Sequence, residues 1–162
     1  MLPILILLFS VQPSQAPSGC ADDVRYTVLV AWVGEWDVRN AAGQRAGSSR
    51  IERSEDGCGL VEHWRGAGPM PGTGLHAYNR TTGTWSHLWV DASGFTASLT
   101  GTVENTSVVY RRSSQQPGGL ERQHRMTLAP AAGTIIQTGE HSDDAGKTWQ
   151  RDFQLTYVKR AA

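Results

Sequence analysis

The chain has no surplus of charge of either sign: its 162 residues carry 15 Lys and Arg against 15 Asp and Glu. That balance removes the electrostatic case for a nucleic-acid binder or a polybasic membrane-surface protein. No apolar run is long enough to cross a bilayer, which takes about 20 residues. Cysteine is scarce, with only Cys20 and Cys58. They form no CxxC motif and no Cys/His cluster with zinc spacing, so a structural zinc is not expected. The sequence contains no P-loop, no GxGxxG after a strand, no HExxH and no GxSxG. Asp143-Asp144-Ala145-Gly146 lacks the spacing and closing Glu of an EF-hand. No repeat of 20–50 residues is present, which disfavours a propeller or solenoid.

What is present is turns and aromatics. Glycine occurs 18 times and tryptophan six times, a composition that a disordered chain would not have. Residues 2–11 form an apolar run with the length of a signal-peptide core, although no Lys or Arg precedes it. Ser14-Gln15-Ala16 follows with small residues where a signal peptidase reads. The sequence therefore predicts a signal peptide over residues 1–16 and one β-barrel domain over 17–162. The mature chain then has no transmembrane segment and is periplasmic or secreted. In an oxidising compartment a Cys20–Cys58 bridge persists. The alternative for Cys20 is acylation, but Pro17-Ser18-Gly19-Cys20 departs from the lipoprotein motif and a lipid anchor is not expected.

One helix is expected over residues 21–33, capped by Asp22 or Asp23 and ended by Gly34. Val24, Val28, Leu29 and Trp32 would form its apolar stripe. Beyond Gly34, nine turn signals punctuate segments rich in Trp, Tyr, Val, Ile and Thr. Short connections favour sequential antiparallel pairing, and a long meander closes to remove its edges. The fold class is therefore all-β: an antiparallel up-and-down barrel of roughly ten strands with a short N-terminal helix.

Turn positions set provisional registers. A loop over residues 80–83 places Tyr78 opposite Trp85 and His76 opposite His87. A loop over 91–94 places Val90 opposite Phe95 and His87 opposite Ser98. A return through residues 66–72 places Glu62 opposite His76. A loop over 129–133 brings Arg125 near Gln137. At the C-terminus, Glu140 lies near Trp149 and Arg151 and is expected to pair with Arg151. Trp149, Arg151, Phe153, Leu155 and Tyr157 are expected on one face of the last strand.

Two faces follow. One carries Leu60, Glu62, Trp64, His76, Tyr78, Trp85, His87 and Trp89. The other carries Val61, Leu75, Ala77, Leu88, Val90, Phe95, Ala97 and Leu99. The first face is aromatic with a few convergent polar groups, as ligand cavities are, and is expected to point inward. The candidate ligand-binding residues are Trp36, Glu62, Trp64, His76, Tyr78, Trp85, His87, Trp89, Arg125 and Gln137. Glu62 with His76 or His87 also suggests an alternative, acid–base or metal chemistry. A third possibility is a barrel packed solid, acting as a structural or interaction domain. Asn79-Arg80-Thr81 and Asn105-Thr106-Ser107 match the glycosylation sequon, which matters only in a eukaryotic source.

Several stretches together resemble a family of bacterial exported proteins of unknown function with a calycin (lipocalin-like) barrel. They are residues 32–38 (Trp-Val-Gly-Glu-Trp-Asp-Val), 56–64, 72–78, 85–91 and 140–149, and the resemblance covers Cys20 to Tyr157. It implies a barrel of about ten strands with a helix over one end, and a Cys at both the Cys20 and Cys58 positions. The sequence departs from the family where His76, His87 and Asn79 stand in place of Asn, Gln and Asp. The distantly similar nitrobindin-type barrels hold haem iron through a His near the last strand. Residues 149–157 contain none, so haem is not expected, and no cofactor is expected at all. The implied partner is a small apolar or amphipathic molecule.

Overall fold

A computed structural model describes residues 19–161; the expected signal peptide falls outside the described residues. A 3-10 turn, Cys20–Asp22, leads into helix α1, Val24–Val30. Ten strands follow: β1 Gly34–Asn40, β2 Arg45–Arg53, β3 Gly59–Gly66, β4 Pro71–Asn79, β5 Thr84–Asp91, β6 Thr96–Glu104, β7 Ser107–Gln115, β8 Glu121–Ala131, β9 Thr134–Ser142 and β10 Gln150–Lys159. Each strand pairs antiparallel with its neighbours in sequence, and β1 pairs with β10 to close the barrel. No helix among the described residues is long and apolar enough to cross a membrane.

The helix is shorter than the sequence suggested, and of the expected stripe Leu29 and Trp32 are buried and Val28 partly so, joined by Tyr26 in place of Val24. The Asp23 side chain accepts a hydrogen bond from Arg25 N and caps the first turn, satisfying one of the free N–H groups at a helix start. Gly34, at φ +140°, turns the chain into β1, a conformation open to a residue without Cβ. The buried positions are Tyr26, Leu29 and Trp32, whereas Val24 is 75% exposed. The two aromatics reach the barrel axis and carry more apolar area than valine, so they set the rotation of the helix.

The helix seals the end of the barrel from which β1 starts. Tyr26 stacks on Trp85 with centroids 5.6 Å apart. Trp85 Nε1 donates to the Arg25 carbonyl at 3.1 Å, and Tyr78 Oη donates to Asp23 Oδ2 at 2.6 Å. A Cys20–Cys58 disulfide ties the helix approach to the β2–β3 turn across a separation of 38 residues. Closing a loop of that length stabilises the fold by about 3–4 kcal/mol, chiefly by restricting the unfolded chain.

The registers correct several expectations. Tyr78↔Trp85 and His76↔His87 pair as expected. The β5–β6 turn is one residue longer than expected, so His87 pairs with Leu99 and Val90 with Thr96. A shift of one residue flips a whole strand. Phe95, Ala97 and Leu99 consequently face inward rather than outward. In β3 the slip is two residues, which preserves the face: Glu62 sits opposite Gly74, not His76. The β8–β9 turn is tighter than expected, so Arg125 pairs with Glu140 and Gln137 with Leu128. In β10 a bulge between Arg151 and Phe153 breaks the alternation. Arg151 therefore lies opposite Glu140, while Phe153, Leu155 and Tyr157 border the interior. Glu140 pairs with Arg125 at 2.6 Å, and Arg151 instead donates to Gln154.

Candidate functional site

The barrel interior divides along its axis. Against α1, Trp32, Trp85, Tyr26, Tyr110, Leu60, Leu128 and Val108 are all fully buried. Toward the other end a cavity of about 550 Å³ opens, within the usual range for small-molecule sites. The interior is thus not packed solid. Glu62, His87, Gln137 and Tyr157 form its floor, and Trp64, Trp89, Ala97, Leu99, Met126 and Leu155 its walls. Phe95, Phe153, Arg112, His124, Arg125, Glu140 and Asp152 lie toward its mouth.

The walls combine aromatics and open space because three inward glycines lie under rings from neighbouring strands. A Cβ on Gly72 would collide with the Trp89 indole, and one on Gly139 with the Phe153 ring. Gly47 stands in the same relation to Trp64. With no side chain beneath them, the rings lie along the wall instead of projecting into the lumen. Glycine under an aromatic neighbour also offsets the packing that a strand glycine forfeits.

The floor holds the polar groups. Ser49 Oγ donates to Glu62 Oε1 at 2.7 Å. Tyr157 Oη lies 2.7 Å from Gln137 Oε1 and 3.2 Å from Glu62 Oε1. Tyr157 is the donor in both contacts, and its one hydroxyl proton serves one acceptor at a time. Burial favours the neutral carboxyl and raises Glu62 to about 7, against the opposing hydrogen bonds from Ser49 and Tyr157. Glu62 Oε2 lies on the far side, where it and His87 Nε2 both approach the space above Gly74. The Gln137 amide N–H reaches only the Met126 sulfur, a weak acceptor.

His87 and His76 stack with centroids 4.1 Å apart. Burial holds the His87 imidazole down at about 4. Burial, together with His87, also holds His76 well below its ordinary value. His76 Nδ1 meets Tyr110 Oη at 2.8 Å. His76 Nε2 and both nitrogens of His87 are buried without hydrogen-bond partners. Two neutral rings can stack in this way, whereas two imidazolium ions could not. Among the described residues, no group of three or more His, Cys, Asp or Glu is arranged to hold a metal ion.

The structure separates the ten expected site residues. Glu62, Trp64, His87, Trp89, Arg125 and Gln137 line the cavity. His76 lies beneath it against Trp32, 5.0 Å between centroids. Tyr78 and Trp85 are buried under the helix. Trp36 is buried with Nε1 donating to the Trp32 carbonyl, at the sealed end. Sequence reasoning missed Arg112, His124 and Asp152. The alternation Val108, Tyr110, Arg112, Ser114 on β7 was the available signal for Arg112. Asp152 had none, because the bulge that admits it has no sequence signature of its own. No family model matches this chain, and no curated protein matches it.

Proposed function

We propose that this protein is an exported, calycin-like barrel that binds a small apolar or amphipathic molecule in its open half. The observation that carries the reading is the aromatic-walled cavity with incompletely satisfied polar groups at its floor. Pockets of this composition bury an apolar body and orient it through a few polar contacts. Export is supported by the disulfide, which persists in an oxidising compartment, and by the apolar run at residues 2–11. Tryptophan emission titrated with a panel of lipophiles tests the reading. Binding quenches or shifts emission, and W64F/W89F loses most of the response. A panel that leaves the wild-type spectrum unchanged throughout overturns it.

Acid–base catalysis is the second reading, favoured by one observation: a carboxyl whose pKa lies near 7 faces a cavity. Conversion of a bound compound that is abolished in E62Q while binding survives supports it. Recovery of every bound compound chemically unchanged removes it.

A further inference from the structure

Of the Arg, Asp and Glu side chains lining the mouth of the cavity, only Arg112 has no ion pair among the described residues. Arg125 pairs with Glu140 at 2.6 Å, His141 with Asp152 at 2.5 Å, and Arg122 with Asp143 at 2.7 Å. Arg112 lines the cavity and has no ion pair or hydrogen bond among the described residues. It shares the inward face of β7 with Tyr110 and pairs across the ladder with His124. His124 is held below its ordinary value by burial and by the Arg112 charge, which favours the neutral imidazole beside the guanidinium. A guanidinium carries five donors in a fixed fork suited to carboxylate, sulfate or phosphate oxygens.

The opposite end of the cavity has a different chemistry. At the floor, Glu62, Gln137, Tyr157 and His87 offer neutral or weakly satisfied groups. An anion placed there would meet the Glu62 carboxyl and no cation. The space between carries the indoles of Trp64 and Trp89. We propose that the ligand of this cavity is an amphiphile with two polar ends: an anionic group held by Arg112 toward the mouth and a neutral hydroxyl, carbonyl or amide at the Glu62–Gln137 floor. This deepens the binding reading above and depends on it. Orientation follows directly, since only one end of such a molecule matches each end of the cavity.

Isothermal titration calorimetry with matched probes tests the assignment. An aliphatic set comprises 12-hydroxydodecanoate, dodecanoate and 1,12-dodecanediol; an aromatic set comprises 6-hydroxy-2-naphthoate and 2,6-dihydroxynaphthalene. In at least one set the hydroxy acid is expected to bind most tightly. R112Q is expected to weaken the carboxylates at least tenfold and the diols less than twofold, with R112K recovering part of the loss. Circular dichroism checks that the variants fold as the wild type does. Diols that bind as tightly as the hydroxy acids, or carboxylates indifferent to R112Q, overturn the anion site and leave the binding cavity standing. Failure of every probe to bind the wild type removes the anion assignment, and a silent lipophile panel then removes the binding reading as well.

Discussion

The two halves of this barrel are built from the same strands yet solve opposite problems. Near the helix, inward positions carry large side chains that meet at the axis: Trp32 contacts His76 and Tyr157 edge-on, at 5.0 and 5.4 Å between centroids. Near the mouth, glycines under Trp64, Trp89 and Phe153 keep the rings against the wall. At the open end, a large residue beside a glycine becomes wall. Stability is thus concentrated at the sealed end and capacity at the open one, and substitutions at the two ends should fail in different ways.

The largest effect is expected at the sealed end. Trp32→Ala removes a fully buried indole and should cost about 3–5 kcal/mol in urea unfolding. A loss below 1 kcal/mol would show that the plug is not part of the cooperative core.

At the boundary between the halves, the buried carboxyl and imidazoles give opposing pH dependences. Glu62 titrates near 4.5 when unfolded and near 7 when folded. Its effect is constant below about pH 4.5 and turns against folding as pH rises to 7, because the folded state retains a proton that the unfolded chain has released. His87 goes from 6.5 unfolded to about 4 folded. The stability it supports is complete above 6.5 and is lost as pH falls toward 4; His76 acts in the same direction. Relative to wild type, E62Q should therefore gain about 3 kcal/mol between pH 4.5 and 7.5. Denaturant titrations at several pH values measure this difference. A constant offset would mean that the carboxyl is ionised in the folded state across that range.

The smallest stability effect and the largest effect on capacity are expected at the mouth. Gly139→Val pushes Phe153 off the wall and should cost about 1–3 kcal/mol. It should also abolish the fluorescence response to lipophiles proposed for the wild type. Retained binding would break the link between the wall glycines and the open lumen.

These contrasts were only partly legible in the sequence. The inward face of β3–β5 followed from turn chemistry: Asn79-Arg80-Thr81-Thr82-Gly83 fixes one hairpin, and a two-residue slip in β3 left its face unchanged. The same logic failed at β6. There Asp91 accepts hydrogen bonds from Ser93 N and Oγ, and the turn takes one residue more, which reverses every side chain beyond it. The bulge in β10 escaped for a related reason, since an extra residue in a strand leaves composition and periodicity almost unchanged. Of the expected ligand-binding aromatics, Trp64 and Trp89 line the cavity, whereas Trp36, His76, Tyr78 and Trp85 do not. Alternation tells which way a side chain points, not how far along the axis it stands. That distance depends on where the helix docks, and the docking is a tertiary contact.

Among the described residues, the disulfide-anchored cap closes one end of the barrel and leaves the other as its doorway. On the binding reading, a guest would leave past the same five connections that admitted it, over residues 41–44, 67–70, 92–95, 116–120 and 143–149. Anything that covers that rim, a second macromolecule or a surface, stops loading and unloading together.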